Sequence, residues 1–196
     1  MEAPLNLGVV LASVREGRRG EPFARWIHAL AAERAGVRAE VLDLKDWPFP
    51  HYALRDPPVV AERSYEAGSL AGRWAERVSA QDGFVVVTPE YNHGYPSSLK
   101  SALDVVYAPW RHKPVAFVSY GGSASGARAV EQLRLVAAEL RMVAVQDEVN
   151  IRLVGFAADE RGWPADPWYA KKASALVDEL LWWARVAREG RERPPR

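Results

Sequence analysis

Short, nearly continuous apolar runs at residues 5–12, 84–88 and 115–120 alternate along this chain with stripes of helical period. Runs of this length without polar alternation suit parallel strands buried on both faces, since helices packed on either side of a sheet remove both faces from water. Between them, Phe23, Ile27, Leu30 and Ala31 fall on one helical face, as do Leu99, Ala102, Leu103 and Val106, and again Val130, Leu133, Ala137 and Leu140. Residues 37–44 and 142–145 read as two further strands. A helix lies within 59–81, and a last amphipathic helix covers about 167–188. Strand and helix thus alternate through five strands, which predicts an α/β doubly wound parallel sheet with right-handed crossovers. Five strands in 196 residues favour the order 2-1-3-4-5 of a flavodoxin-like three-layer sandwich, with helices on both faces, over the six-strand dinucleotide fold. Ligands of such folds bind outside the carboxyl ends of the strands, so the loops after strands one, three and four are where function is expected.

Composition keeps the chain to one domain and removes several chemistries. Residues 1–189 read as a single domain, and the charged, proline-containing segment 190–196 as a disordered tail. Lys and Arg total 26 against 25 for Asp and Glu, a net charge of +1. That balance argues against a partner held by charge alone, whether nucleic acid or an anionic membrane surface. There is no cysteine, which excludes disulfides, thiolate nucleophiles and cysteine-held iron–sulfur clusters, so redox chemistry would require a bound organic cofactor. The four histidines, at 28, 51, 93 and 112, show no metal-ligand spacing. No apolar run approaches the ~20 residues that span a bilayer. The first residues also lack the basic and long apolar regions of a signal peptide, so the cytoplasm is the expected compartment. The eight tryptophans are scattered rather than boxed, which predicts packing.

Three loops carry the candidate chemistry. Residues 12–20, Ala-Ser-Val-Arg-Glu-Gly-Arg-Arg-Gly, join a strand to a helix and add a hydroxyl and three guanidinium groups to free backbone N–H groups and a helix dipole. The residues alone fit a phosphate monoester site or a solvated basic turn equally. They match neither a Walker A loop nor Gly-x-Gly-x-x-Gly. Residues 88–96, Thr-Pro-Glu-Tyr-Asn-His-Gly-Tyr-Pro, offer flat aromatic surface beside an amide, which suits a planar heterocycle, and His93 joins them as a candidate lining group. Residues 119–128, with Gly121, Gly122 and Gly126, allow a ligand close to the backbone. Ala124 stands where a nucleophile elbow would need serine, so a hydrolase reading fails. The aromatic loop 46–58, with Trp47, Phe49, His51 and Tyr52, is expected to wall the pocket.

These residues together resemble the NAD(P)H-dependent FMN reductase family, the flavodoxin-like group that includes chromate, quinone and azo reductases. The first loop is similar to the family's Gly-Ser-x-Arg phosphate motif. The second supplies Pro89-Glu90-Tyr91-Asn92 with Pro96 and Leu99-Lys100-x-Ala102-Leu103-Asp104, and the third Gly121-Gly122-x-x-Ser125-Gly126. The likeness covers about residues 5–149, and Pro-Glu-Tyr-Asn with its helix is its most specific part. It implies that Ser13 and Arg15 bind an FMN phosphate, with Arg18 where many members have serine and Gly20 giving a backbone amide. Pro89, Glu90, Tyr91 and Asn92 would border the ribityl chain and ring on one side, and Gly121, Gly122 and Ser125 the ring on the other. Ala12 and Ala127 replace glycines usual in the family. The resemblance further implies FMN as cofactor, NADPH or NADH as co-substrate, and hydride transfer to flavin. Electrons would then pass to a small-molecule acceptor such as free flavin, a quinone, an azo compound or a metal oxyanion. It also implies a homodimer or tetramer, with Leu103, Val106, Tyr107 and Trp110 as interface or core residues. The competing reading is a flavodoxin-like electron carrier; such carriers are typically acidic, and a net charge of +1 counts against it.

Overall fold

The computed structural model describes residues 3–60 and 65–192. Five parallel strands, β1 (Leu5–Leu11), β2 (Val37–Asp43), β3 (Gly83–Pro89), β4 (Pro114–Gly121) and β5 (Val143–Arg152), form one sheet in the order β2-β1-β3-β4-β5. The helices are α1 (Gly20–Ala32), α2 (Leu70–Ser79), α3 (Ser97–Asp104), α4 (Ala127–Glu139) and α5 (Pro167–Glu192). Architecture and strand order match the expectation.

Period-two alternation divides the core between the two faces of the sheet. Leu5, Leu7, Val9 and Leu11 of β1, Val85 and Val87 of β3, and Ala116, Val118 and Tyr120 of β4 pack under α1 and α5. Val10, Phe84, Val86, Val115 and Phe117 face the opposite way, toward α2, α3 and α4. Trp74 and Trp110 lie at the centre of that second layer with Trp47, Phe49 and Phe84, joined by edge and tilted ring contacts of 4.8–6.0 Å. Leu103, Val106 and Trp110 are therefore core residues of a single chain.

Two boundaries differ from the sequence expectation. β5 continues to Arg152 instead of ending at Val145. The register steps from Val115↔Ala144 to Phe117↔Glu148, so residues 145–147 form a bulge, and beyond it the edge strand is polar on one side. Arg134 bonds Glu148 at 2.8 Å, and Asn150 donates to the same carboxylate at 2.8 Å. α5 runs to Glu192, so residues 190–192 of the expected tail are helical; 193–196 lie outside the described residues. The last turn is held by Asp82, whose Oδ1 accepts from Arg188 Nε at 3.0 Å and Arg191 NH2 at 2.8 Å, while Oδ2 accepts from the Asn6 backbone N–H at 2.9 Å. Burial pushes the Asp82 carboxyl up, but the Arg188 and Asn6 hydrogen bonds outweigh it and hold the group below the usual carboxylate range.

Beside this cluster, at the amino edge of the sheet, Lys113 is 5% exposed and donates from Nζ to the carbonyls of Val78 and Ser79 at 2.7 and 3.0 Å. Burial lowers its ammonium to about 7, with Arg191 repelling it and Asp82 partly offsetting. Between about pH 7 and the ordinary lysine value of 10.5 the unfolded chain holds a proton that the native protein lacks, so stability rises with pH across that window. Below it the cost of burying the charge is fully present. Urea midpoints between pH 7 and 10 are expected to rise in the wild type and to rise less in Lys113→Met; parallel slopes would contradict this.

Among the described residues no helix is long and apolar enough to cross a membrane.

Candidate functional site

The loops leaving β1, β3 and β4 meet at the carboxyl edge of the sheet, opposite Lys113. They enclose a cleft of about 430 Å³ lined by Arg15, Glu16, Gly17, Arg18, Arg19, Pro89, Glu90, Tyr91, Tyr120, Gly121, Gly122 and Leu153. That size is usual for a small-molecule site, roughly 300–1,000 Å³. Seven of the residues singled out in the sequence, Arg15, Arg18, Pro89, Glu90, Tyr91, Gly121 and Gly122, line it together. Ser13, Gly20, Asn92 and Ser125 stand behind or beside its wall.

In the first loop the arginines separate. Arg18 donates from NH1 to Asp43 Oδ1 at 2.6 Å and to the Ser13 carbonyl at 3.0 Å, and from NH2 to Asp43 Oδ2. The Asp43 hydrogen bond raises the guanidinium against the opposing effect of burial. Burial would raise Asp43 in turn, but Arg18 and the Lys45 backbone N–H hold it below its ordinary value. Arg18 is thus largely committed to the end of β2. Arg15 has no ion-pair partner among the described residues and lies 5.2 Å from the centre of the Tyr91 ring. Ser13 is buried, and its Oγ lies 2.7 Å from the Tyr91 hydroxyl, which ties the first loop to the second.

α1 begins beside the cleft. Its N-cap, Arg19, makes no side-chain capping bond, so no capping side chain offsets the positive end of the helix. α2, by contrast, is capped by Ser69, which accepts from Gly72 N at 3.0 Å. Gly20 must be glycine, because a Cβ there would lie 2.5 Å from Tyr120 Oη. Burial, with Tyr91 adding to it, pushes the Tyr120 hydroxyl well above the ordinary tyrosine value, so it stays protonated.

The second loop is a tight turn in which Tyr91 and Gly94 exchange N–H···O bonds of 2.8 and 3.1 Å. Asn92 and His93 occupy its tip at φ 50° and 68°, the signs of a type I′ turn. Asn92 is exposed there and does not line the cleft. In the third loop Ser125 sits at φ 55° before Gly126 at φ 89°, and Ser119 Oγ donates to the Ser125 carbonyl at 2.9 Å. A Cβ on Gly126 would fall 2.5 Å from that of Ser119, whereas a Cβ on Gly122 would meet nothing. The loop therefore opens toward the cleft at Gly122 and is pinned behind it at Gly126.

The aromatic loop 46–58 does not wall this cleft. Phe49, His51 and Tyr52 line a neighbouring apolar cavity of about 570 Å³ with Leu54, Leu70 and Val105, and Trp47 packs on Trp74. Tyr120 and Leu153 were not anticipated as lining residues. Tyr120 ends an apolar run and reads as a core residue; Leu153 follows the bulged strand.

The chain is similar to known proteins over most of its length. The sequence pattern of the family described as NADPH-dependent FMN reductase matches residues 5–154. An NAD(P)H-dependent FMN reductase of Schizosaccharomyces pombe is 37% identical over 134 residues, 68% of this chain and 66% of that protein. One from Saccharomyces cerevisiae is 33% identical over 70% of this chain and 76% of its own length. A 2-hydroxy-1,4-benzoquinone reductase from Burkholderia is 28% identical over 94% of this chain and 98% of its own. Among solved structures FerB, a flavoenzyme NAD(P)H:(acceptor) oxidoreductase from Paracoccus denitrificans, shares the fold with a TM-score of 0.74 at 23% identity, covering 93% of this chain and 98% of that one. With the fold, the three-loop cleft and a family match spanning most of its length, this chain belongs to the NADPH-dependent FMN reductase family, flavin-dependent oxidoreductases that use NAD(P)H.

Proposed function

We propose that the cleft binds FMN and that the protein uses NAD(P)H to reduce a small organic acceptor of the quinone class. The observation that carries this reading is a pair of unsatisfied groups: Arg18 Nε and Glu90 Oε2 are buried without a partner among the described residues, and both belong to side chains of the cleft. Each such atom costs about 1–3 kcal/mol, which a ligand rich in donors and acceptors relieves. FMN fits that requirement. Arg15 and the uncapped first turn of α1, including the Gly20 N–H, would hold its phosphate dianion. Arg18 would add Nε while Asp43 fixes its guanidinium. Pro89, Glu90 and Tyr91 would border the ribityl chain and one side of the ring, and Gly121 and Gly122, without side chains, the other. Ser13, Asn92 and Ser125 act from behind, through the Tyr91 hydroxyl and the two turns.

When bound, FMN supplies the redox chemistry, taking a hydride from NAD(P)H and passing electrons to the acceptor. The chain's share is to bind, orient and exclude water. The quinone assignment draws support from the Burkholderia relative, which matches nearly end to end. We also take the protein to act as a homodimer, a reading supported by the exposed Leu54, which lines the apolar cavity, and by the exposed Val59 and Val60 that follow it in the chain.

Purified protein incubated with FMN and desalted is expected to stay yellow. At a hundredfold excess of FMN over Kd it should gain about 2.7 kcal/mol, several degrees in Tm. Colourless protein with no thermal shift would contradict the proposal.

A further inference from the structure

Glu90 leaves β3 with its side chain 7% exposed. Its Oε1 accepts from Arg128 Nε at 2.7 Å and also from Arg128 NH2, while Oε2 has no partner among the described residues. Arg128 is the second residue of α4. Its third nitrogen, NH1, lies 2.7 Å from His93 Nε2. Arginine only donates, so Nε2 is the acceptor in this contact and the ring proton sits on Nδ1. One turn further along α4, Gln132 Nε2 donates to the His93 carbonyl at 2.9 Å. A planar fork serves two acceptors at once, the Glu90 carboxylate and the His93 ring, which a lysine ammonium at the end of a flexible stem does not reproduce.

The segment gripped in this way is itself strained. Asn92 and His93 both hold positive φ without being glycine, a conformation that persists only where the surroundings over-determine it. The same turn carries Tyr91, which lines the cleft and reaches Ser13 across it. We infer that Arg128 is the positioning residue of this wall: it compensates the Glu90 charge and clamps the 91–94 turn to α4, so that Glu90 and Tyr91 meet the ligand already in place. The inference rests on the reading of the cleft as an FMN site, but the clamp itself exists without ligand and is measurable there.

Hydrogen exchange of the FMN-free protein over residues 90–96 is expected to accelerate in Arg128→Met and to a lesser degree in Arg128→Lys, which keeps the charge but loses one arm. In titrations, Arg128→Met should weaken FMN binding about tenfold, from coupling of contacting charged groups. Arg128→Lys should recover part of that loss, and riboflavin should lose as much affinity as FMN, because the clamped wall borders the ribityl chain and ring rather than the phosphate. Exchange in the core strands β1, β3 and β4 should stay at the wild-type rate, which a general loss of fold would not allow. Unchanged exchange in both Arg128 variants would overturn the inference, as would wild-type FMN affinity in Arg128→Met. If wild type itself does not bind FMN, the functional reading falls, and the exchange measurement alone decides whether Arg128 holds the turn.

Discussion

Arg15→Ala is expected to weaken FMN binding roughly 10- to 150-fold, the loss of a charge-assisted contact of about 1.5–3 kcal/mol. The structure makes this prediction sharper than the motif does, because it separates two arginines that the sequence presents as equals. Arg18 is engaged by Asp43 through both terminal nitrogens, so its removal leaves a partly buried carboxylate unpaired and should lower stability as well as affinity. Arg15 is exposed and has no carboxylate partner among the described residues, so Arg15→Ala should change stability by no more than about 0.5 kcal/mol. Riboflavin, which lacks the phosphate, provides the control. If Arg15 meets the phosphate, the variant and wild type bind riboflavin alike and differ only toward FMN. Equal losses for both ligands would move Arg15 to another part of the cofactor.

Trp74→Ala carries the largest expected effect on folding, about 3–5 kcal/mol. The side chain is 0% exposed, touches Trp47, Phe49 and Trp110, and donates from Nε1 to the Ala102 carbonyl at 2.9 Å. Truncation opens a cavity between α2 and the sheet and orphans a carbonyl of α3, the helix that follows the Glu90–Tyr91 wall. At roughly 2–4 °C per kcal/mol for a chain of this size, Tm should fall by about 6–20 °C. Trp182→Ala, at a side chain 55% exposed, is the matched control and should stay within about 0.5 kcal/mol. Similar losses in the two variants would mean that the aromatic cluster around Trp74 is not the organising part of that layer.

What could be read from the sequence follows from how each element is buried. β1, β3 and β4 are covered on both faces, so Val9, Val85 and Val118 belong to uninterrupted apolar runs that need no context to interpret. β5 lies at the edge. Its bulge at residues 145–147 interrupts the period, and Glu148 and Asn150 satisfy each other and Arg134 sideways, so only its first residues read as a strand. The helical extension through Arg191 depends on Asp82, more than a hundred positions away, and no local pattern reports such a partner.

The site divides in the same way. Pro89–Asn92 and Gly121–Gly122 were legible because a rigid turn and a side-chain-free approach leave marks in residue type. The roles of Arg15 and Arg18 were not, since the difference lies in Asp43 at the end of a neighbouring strand. Nor was the displacement of Trp47 and Phe49 from the cleft to the Trp74 cluster, because an aromatic loop has the same composition whether it lines a ligand or a core. Arg128 gave no local sign of its grip on Glu90, which lies 38 positions away.

The most direct measurement is anaerobic mixing of NADPH with the FMN-loaded protein, followed at the visible flavin band. Rapid bleaching, restored on addition of a benzoquinone, is the predicted result. Flavin that binds but stays oxidised through the mixing would contradict an NAD(P)H-driven reductase and leave an electron carrier in its place.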